Sequence, residues 1–390
     1  MPAEEKFVPF CLPDITDGEI EQMTQCLRSG WLAKGPMTIA FEKQFADFVG
    51  AKYAVGMNSC TAALHIALLA AGIGPGDEVI TTPMTFAASA NTICHVGATP
   101  VFADIDPVTA CIDPEKLEAA ITPKTKAVVP VHYGGQACDL DRIYEIAERH
   151  HLFVSEDAAH AVYSQYKGRP IGYAPYGAAS FSFYATKNLA TGEGGMLTTE
   201  DEEIANRARV LVTHGMSRNA WNRYAKGGSW KYDIEDFGYK YNMFDLQAAL
   251  GQVQLARLPE MQARREKVVD KYREILSQCP AFELAESAPW TTRNAWHLFA
   301  LRLNLDRLTI DRDRFIEELN AAGVGTSVHF IPVHLMSAYR KTFGYQEGDF
   351  PETERYFERI ISLPLYSTLS LEDAAWVAQT AISIAEKYKR

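Results

Sequence analysis

Short apolar runs alternate with longer amphipathic segments through the first two thirds of the chain. The short runs are rich in Val, Ile, Phe and Ala and predict strands, whereas the longer segments repeat apolar positions at helical spacing. This alternation indicates strand–helix–strand crossover units, which build a mostly parallel sheet covered by helices. The predicted strands are residues 53–56, 78–81, 99–103, 127–131, 152–155, 178–183 and 195–198, and the predicted helices are residues 61–71, 86–95 and 140–150.

The pattern changes after residue 242. A long helical stretch at residues 245–277 carries many charges on one face. Beyond it, the pattern predicts strands at 296–303 and 326–329 and helices at 311–321, 352–361 and 371–387. We therefore expect a large α/β domain at residues 1–250 and a smaller α+β domain at residues 251–390, with the boundary inside the long helix.

Composition narrows the function classes. The chain has 390 residues and a formal net charge of -11, and such an acidic chain does not favour nonspecific binding of nucleic acid. Its seven cysteines form no Cys-x-x-Cys pair and predict reduced thiols. The amino-terminal residues lack the basic-then-apolar order of a signal peptide, and the longest apolar run, residues 62–73, is too short to span a bilayer. We expect a cytoplasmic protein without nucleic-acid or membrane partners.

Two hydroxyl residues open a helix directly after the first predicted strand. Ser59 and Thr61 stand at the start of an Ala- and Leu-rich helical run. The start of a helix presents unpaired N–H groups and the positive end of the helix dipole, which together suit a phosphate group. An ordinary N-cap is the commoner explanation of such residues, and the pattern leaves both interpretations open.

Paired acidic residues end a later predicted strand. Glu156 and Asp157 follow the run at 152–155, and His160 comes next. Ligands of open α/β sheets bind beyond the carboxyl ends of strands, where we expect Asp157 to lie. A carboxylate there can hold a pyridine nitrogen in its protonated form, which makes the ring an electron sink. A helix cap or a metal ligand is the alternative interpretation.

Lys187 follows an aromatic-rich run that predicts a buried strand ending at this lysine. It has no charged neighbour for several residues on either side, and Gly194 and Gly195 follow, where they permit close backbone approach. Burial favours the neutral amine, so this lysine is a candidate for Schiff-base chemistry. A solvated surface lysine is the usual alternative.

Taken together, these residues resemble the fold-type I pyridoxal-phosphate (PLP) enzymes, with Asp157, His160, Ser182 and Lys187 in that order and Lys187 thirty residues after Asp157 (187 − 157). More narrowly, the chain resembles the sugar-nucleotide aminotransferases from about residue 10 to the carboxyl end. The matching motifs are Gly35-Pro36, Gly76-Asp-Glu-Val, Gly97-Ala-Thr-Pro-Val, Glu156-Asp-Ala-Ala-His, Ser182-Phe-x-x-x-Lys, Glu193-Gly-Gly, Gly238-Tyr-Lys-Tyr-Asn and Ser362-Leu-Pro-Leu.

The resemblance implies an α/β fold of type I, with a mostly parallel seven-stranded sheet between helices and a smaller C-terminal α+β domain. It implies PLP as the cofactor, no metal, and a homodimer with shared active sites.

The resemblance also implies a role for each site residue. Lys187 would carry the cofactor as a Schiff base and shuttle the proton, and Asp157 would pair with the ring nitrogen. Phe86 would stack on the ring, and His160 would lie by the phenolic oxygen. The phosphate would be held by Thr61, Ala62, Ser182 and, from the neighbouring subunit, Asn242; as an alternative, Asn242 caps the next helix, a duty for which Asp245 competes.

Four segments are most similar to the aminotransferase that forms UDP-4-amino-4-deoxy-L-arabinose. This subset of the family aminates C4 of UDP-linked 4-keto-sugars with L-glutamate as the donor. Lys240 and His329 are candidate contacts for the sugar or its diphosphate; an exposed lysine and a strand-edge imidazole are the alternatives. The four segments are Pro130-Val-His-Tyr-Gly-Gly, His214-Gly with Ala220-Trp221 after it, Trp296-His-Leu-Phe and Val328-His-Phe.

Other activities are less compatible with the sequence. No Gly-x-Gly-x-x-Gly follows the first predicted strand, which disfavours a nicotinamide dehydrogenase. Dehydratases that resemble this family replace the lysine with histidine, whereas Lys187 is present here. Amination at another position such as C3, a dTDP- or GDP-linked sugar, and a non-enzymatic PLP- or sugar-binding regulator stay open as alternatives.

Overall fold

The computed structural model describes residues 6–217 and 231–390, so Ala220-Trp221 lies outside the described residues. Strands are numbered in chain order over the described part. They are β1 (Tyr53–Met57), β2 (Glu78–Thr81), β3 (Thr99–Phe102), β4 (Thr125–Val129), β5 (Phe153–Asp157), β6 (Gln165–Tyr166), β7 (Arg169–Pro170), β8 (Gly177–Ser182), β9 (Gly195–Thr199), β10 (Phe282–Leu284), β11 (Thr291–Arg293), β12 (Phe299–Leu303) and β13 (Ile360–Leu363).

Helices separate most of these strands. Within residues 6–217 and 231–390, no helix combines the length and the apolar character needed to cross a membrane. The α-helices are α1 (Asp17–Ser29), α2 (Pro36–Val49), α3 (Cys60–Ala70), α4 (Ala87–His95), α5 (Pro114–Ala119), α6 (Leu140–His150), α7 (Glu202–Leu211), α8 (Asp245–Leu276), α9 (Arg312–Ala321), α10 (Ser337–Phe343), α11 (Pro351–Phe357) and α12 (Leu371–Lys387).

The central sheet has seven strands in the order β1-β9-β8-β5-β4-β2-β3. Strand β9 pairs antiparallel with both of its neighbours, and the other pairings in this sheet are parallel. Both faces are covered, since nearly every residue of these strands is buried. The mostly parallel seven-stranded α/β sheet expected from the sequence is confirmed.

Two predicted elements in the carboxyl-terminal part are wrong. Residues 326–329 form no strand: Ser327 makes a single bridge to Ser362, Val328 packs against the main core, and His329 lines a cavity. The apolar–polar alternation there thus reflects core and cavity rather than the two faces of a sheet. The helix predicted at 352–361 ends at Phe357, because the residues after it form β13 and pair antiparallel with β12.

The carboxyl-terminal part has a hydrophobic cluster of its own. Strands β10, β12 and β13 form an antiparallel sheet, and Leu301 and Val377 pack there with Tyr272 from the second half of α8. Leu255 and Leu258, earlier in the same helix, belong to the main cluster instead. Helix α8 therefore contributes to both clusters, and a domain boundary at residue 250 stays a prediction.

Candidate active site

A cavity of about 460 Å³ opens at the carboxyl edge of the central sheet. Strands β5 and β8 end at this edge with Asp157 and Ser182, and ligands of such sheets bind beyond the carboxyl ends of the strands. The structure brings seven of the predicted site residues together around this cavity: Thr61, Phe86, Asp157, His160, Ser182, Lys187 and His329.

Asp157 lies at the last position of β5, as predicted, and is 5% exposed. One carboxylate oxygen accepts a hydrogen bond from Ser89 Oγ at 2.7 Å, and the other accepts one from the N–H of Ala159 at 3.0 Å. The carboxylate is thereby fixed in orientation while it lines the cavity. The metal-ligand alternative gains no support, since residues 6–217 and 231–390 contain no group of three His, Cys, Asp or Glu placed to hold an ion.

Lys187 lies in a turn rather than at a strand end. Strand β8 stops at Ser182, close to the end of the strand predicted at residues 178–183, and the Lys187 N–H donates to the carbonyl of Tyr184 at 2.8 Å. The expectation that the strand runs on to Lys187 is therefore wrong. Burial lowers the pKa of Lys187 to about 8, although Cys60 and Asp157 act in the opposite direction. Lys187 is half-buried and lines the cavity, which argues against the interpretation as a solvated surface residue.

Three imidazoles line the same cavity. The ring of His160 lies 4.3 Å from the ring of His297, centre to centre, and 6.5 Å from that of His329. Burial, followed by the neighbouring Lys187, holds the pKa of His160 and of His297 well below the usual range for histidine. The same two causes lower the pKa of His329 to about 4, so all three rings are neutral near pH 7.

Helix α3 begins at the cavity. Ser59 is the N-cap residue, and its Oγ accepts the N–H of Ala62 at 3.1 Å, which confirms the N-cap interpretation for Ser59. Thr61 lines the cavity from the first turn. A Cβ on Gly195 would lie 2.3 Å from the carbonyl carbon of Ser59, so only glycine lets β9 pass this close to the helix start.

Phe86 stands at the rim of the cavity as the N-cap residue of α4. Its side chain is 64% exposed, which is unusual for phenylalanine. The nearest aromatic ring described is that of Phe330, whose centre lies 6.1 Å away at a tilt of 50°. An exposed aromatic face at the mouth of a cavity is suited to stacking on a planar ligand.

Three predicted site residues do not line the cavity. Ala62 is buried in the first turn of α3, with its N–H already bonded to Ser59. Lys240 is exposed to solvent. Asn242 donates from Nδ2 to the carbonyl of Met243 at 3.0 Å, and α8 has no side-chain cap at its start, so the N-cap alternative for Asn242 is wrong.

Asp245 competes for no cap on α8 either, because it caps a different helix. One of its oxygens accepts the N–H groups of Gly35 and Thr38 at 2.7 and 3.0 Å, and the other accepts the N–H of Met37 at 3.1 Å. These N–H groups belong to the start of α2 and its N-cap. Asp245 thus ties α2 to the first turn of α8.

Sequence reasoning missed His297, Phe330 and Tyr184, which also line the cavity. His297 belongs to the segment Trp296-His-Leu-Phe. The family resemblance includes this segment but implies no role for its histidine. Its Nε2 lies 3.4 Å from Nζ of Lys187, which is 110 residues earlier in the chain. No local pattern reports such a contact, because the two residues meet only in the folded chain.

The residues around the cavity fit PLP. The Lys187 amine is available for the aldehyde, and the Asp157 carboxylate is available for the ring nitrogen. The start of α3, with Gly195 packed against Ser59, offers N–H donors and the positive end of a helix dipole for the phosphate. Phe86 offers an exposed aromatic face for the ring. Each part of the cofactor therefore has a chemically matched partner.

The DegT/DnrJ/EryC1/StrS aminotransferase family matches residues 13–381 of the chain. The chain is 56% identical to the spore coat polysaccharide biosynthesis protein SpsC of Bacillus subtilis (strain 168) over 381 residues, which are 97% of each protein. The structure resembles that of Spr1654 from Streptococcus pneumoniae in its PMP form, with a TM-score of 0.92, 37% identity, and coverage of 97% of this chain and 99% of that one.

A further similar structure is that of DesI in the presence of its TDP-sugar product. It has a TM-score of 0.86 and 33% identity, with 98% of this chain and 93% of that chain covered. The PLP form of Spr1654 is also similar, with a TM-score of 0.91. These matches span nearly the whole chain and agree with the cavity described above. The chain therefore belongs to the DegT/DnrJ/EryC1/StrS aminotransferase family and is a PLP-dependent sugar aminotransferase.

Proposed function

We propose that this protein transfers the amino group of L-glutamate to the C4 keto group of a nucleotide-linked sugar, with UDP as the nucleotide. The product would serve the synthesis of a surface glycan or lipopolysaccharide. The observation that carries this proposal is the cavity in which Lys187 and Asp157 meet three neutral imidazoles. The name of SpsC, a polysaccharide biosynthesis protein, supports the pathway class.

Lys187 and Asp157 would be the catalytic residues. PLP, when bound, supplies an electron sink. Because the pKa of Lys187 is about 8, roughly a tenth of these amines are neutral at pH 7, and a neutral amine can take a proton at Nζ from the amino donor and later return it. Asp157 would hold the ring nitrogen, with its carboxylate kept in place by Ser89 and Ala159.

The imidazoles suit a hydroxylated, uncharged sugar ring. A neutral imidazole both donates and accepts hydrogen bonds, so it can bind sugar hydroxyls without adding charge to the cavity. His329 is held by a 2.8 Å contact between its Nδ1 and Ser362 Oγ, and it would contact the sugar. His160 would lie by the phenolic oxygen of the cofactor, with its Nδ1 accepting the N–H of Gly134 at 3.2 Å.

The phosphate would be bound by Thr61, Ala62 and Ser182, with Phe86 stacked on the ring. Ala62 would act through its backbone N–H, which the phosphate would share with or take from Ser59. Thr61 and Ser182 already line the cavity with their hydroxyl-bearing side chains. This arrangement combines a helix start with two hydroxyl donors, a common way of holding a phosphate dianion.

A substrate panel tests the proposed reaction. With L-glutamate as donor, the enzyme should aminate a UDP-linked 4-keto-sugar and release 2-oxoglutarate. We expect kcat/KM for this acceptor to exceed that for 3-keto-sugars or for dTDP- and GDP-linked 4-keto-sugars by at least about tenfold, since lost contacts to a ring substituent or a base cost about this much. Product formation is followed by mass spectrometry.

Each other outcome of the panel points to a specific alternative. A preference for a 3-keto or a dTDP-linked acceptor would replace the proposed substrate while keeping the reaction. Bound cofactor whose absorbance is unchanged by glutamate would favour a PLP-binding regulator. The structure of DesI with a TDP-sugar makes the dTDP series a necessary arm of the experiment.

We also propose a homodimer with shared active sites. Asn242 does not line the cavity of its own subunit, and its carboxamide oxygen is buried without a hydrogen-bond partner among the described residues. Large apolar side chains are exposed, among them Trp31, Ile39 and Phe237 at 51%, 61% and 94%, and a second copy packed over them would remove them from water. Asn242 would reach the phosphate of the neighbouring subunit, and the exposed Lys240 would reach the diphosphate.

Mixed dimers test the shared site. A dimer that pairs an Asn242→Ala subunit with a Lys187→Ala subunit has both defects in one site and none in the other. Such a dimer should regain about half of the wild-type activity, because one of two equivalent sites is intact. Two different affinity tags isolate the mixed dimer, and its turnover is compared with that of both parent homodimers.

The parent proteins make this test interpretable. Lys187→Ala homodimers should be inactive, and Asn242→Ala homodimers should bind PLP more weakly than wild type. If Asn242→Ala is impaired and the isolated mixed dimer shows no recovery, Asn242 acts within its own chain.

The compartment is part of the proposal. All seven cysteines are free thiols in the structure. Thiols of this kind persist in reducing compartments, whereas secreted proteins tend to pair them. We therefore propose that the reaction takes place in the cytoplasm.

A further inference from the structure

A hydrogen-bonded chain of four groups ends at the amine of Lys187. Nζ of Lys187 lies 3.4 Å from Nε2 of His297, and Nδ1 of the same ring lies 3.1 Å from Oδ1 of Asn188. The Nδ2 of Asn188 donates to the carbonyl of Ala295 at 2.6 Å. Asn188 directly follows Lys187 in sequence, so His297 is in contact with two consecutive residues of the same turn.

The partners in this chain determine the protonation of His297. The Asn188 amide must direct its N–H group at the Ala295 carbonyl, which leaves Oδ1 facing the imidazole as an acceptor. Nδ1 of His297 is therefore the protonated nitrogen of the neutral ring, and Nε2 has a free lone pair. That lone pair faces an amine, which has N–H groups to donate.

The backbone before His297 is held on several sides. Trp296 adopts a φ of 46°, a region that non-glycine residues adopt at a cost. Its N–H donates to Oδ1 of Asn294 at 2.8 Å, and its carbonyl accepts from buried Arg265 at 3.2 Å. Ser164 Oγ accepts the N–H of Ala295 at 3.1 Å. The positive φ and these hydrogen bonds fix the backbone next to His297, and so fix the direction in which the His297 side chain points.

We propose that Asn188 and His297 are positioning residues for the free amine of Lys187. Asn188 fixes the tautomer of His297, and Nε2 of His297 accepts a hydrogen bond from Nζ and so directs the amine into the cavity. This inference rests on the proposed reactive role of Lys187, and it adds two residues to which neither the sequence motifs nor the comparisons give a role. It concerns the lysine when it is not bonded to the cofactor, which is when it must hold and move a proton.

The contact with His297 affects the pKa of Lys187 in a definite direction. A neutral acceptor stabilises an ammonium group more than an amine, so the hydrogen bond that Nζ donates to His297 would raise the pKa of Lys187 against the effect of burial. Removal of this acceptor should therefore lower the pKa further. The other titratable or charged groups that face the amine or the imidazole are Asp157, Cys60, Cys11, His160, His329 and Arg265.

The experiment measures the reactivity of Lys187 in the full-length enzyme after removal of the cofactor. Reductive methylation with formaldehyde and cyanoborohydride proceeds on the neutral amine, and peptide mass mapping assigns the product to Lys187. We expect the rate as a function of pH to have a midpoint near 8 for wild type, the pKa to which burial lowers Lys187. In His297→Leu, which keeps the volume but removes the acceptor, the midpoint should fall by about one pH unit, the size expected for one hydrogen bond to a charged group.

Two further variants separate positioning from packing. His297→Gln restores an amide acceptor and should return the midpoint to near the wild-type value, whereas a purely structural role predicts the same midpoint for Leu, Gln and wild type. Asn188→Leu should lower the midpoint like His297→Leu, and the double variant should add little to either change because both act through one chain. Circular dichroism across the pH range confirms that each variant is folded.

The outcomes bear on this inference separately from the proposed function. Unchanged or raised midpoints in His297→Leu, or fully additive shifts in the double variant, would overturn the positioning role. Since the measurement uses no cofactor, donor or sugar, its result does not depend on which substrate the enzyme takes. Conversely, borohydride labelling of a different lysine in the cofactor-loaded enzyme would overturn the proposed role of Lys187 and leave the midpoints untouched.

Discussion

Lys187→Ala should fold, bind no cofactor covalently, and lose turnover by at least about ten-thousand-fold. The expected loss is large because the same amine would both bond the cofactor and carry the proton, and each of these functions alone is worth several powers of ten. No other lysine lines the cavity within the described part of the chain. Turnover is measured with L-glutamate and the best acceptor of the panel.

The matched control is Lys126→Ala, which removes an exposed lysine on β4. This variant should retain the activity and the cofactor absorbance of wild type. Borohydride reduction of the loaded wild-type enzyme, followed by peptide mapping, should label Lys187. Label on another lysine, or substantial turnover in Lys187→Ala, would contradict the assignment.

Lys187→Ala should also change how the free energy of unfolding depends on pH. The folded pKa of Lys187, about 8, lies below its ordinary value of 10.5, so between these pH values the unfolded chain binds more protons than the folded chain. For the cofactor-free enzyme this group therefore makes the free energy of unfolding rise with pH from about 8 to 10.5, and the burial cost is fully present below pH 8. Lys187→Ala should lack this rise, which urea denaturation at several pH values measures against wild type.

The sequence predicted the elements that form the central sheet, but it did not single out the first two helices. The signals for these helices were present. Thr16 and Glu19 form the capping box of α1, Gly30 ends it, and Pro36 occupies the first turn of α2. Local signals do not show how α2 is placed. Its start donates backbone hydrogen bonds to Asp245, which is more than 200 residues away in the chain.

Some residues of the candidate site could be predicted from the sequence, and others could not. Asp157 could be placed from the sequence because a strand end determines where its carboxylate lies, and Lys187 could be singled out because charged neighbours are absent. The role of His297 could not be found in this way, since its meeting with Lys187 depends on the positive φ of Trp296 and on the Asn188 amide. The same φ takes Trp296 out of the extended conformation, and the strand predicted from residue 296 begins only at Phe299.

Asp157→Asn should slow proton abstraction by roughly a hundredfold or more while the fold is retained. The replacement keeps the shape of the side chain but removes the negative charge that would hold the ring nitrogen in its protonated form, and loss of one such group typically costs this much. The asparagine can still accept the N–H of Ala159 or the hydroxyl of Ser89 through its amide oxygen, so we expect little change in stability.

Ser89→Ala is the matched control for Asp157→Asn, because it removes the 2.7 Å hydrogen bond to the carboxylate and leaves the charge in place. We expect this variant to lose about tenfold, the low end of what one hydrogen bond to a charged group is worth, because the N–H of Ala159 still holds the carboxylate. Single-turnover measurements with L-glutamate separate the proton-transfer step from acceptor binding and product release. If Asp157→Asn reacts within a few fold of Ser89→Ala, orientation rather than charge is what the carboxylate contributes, and its role toward the ring nitrogen is wrong.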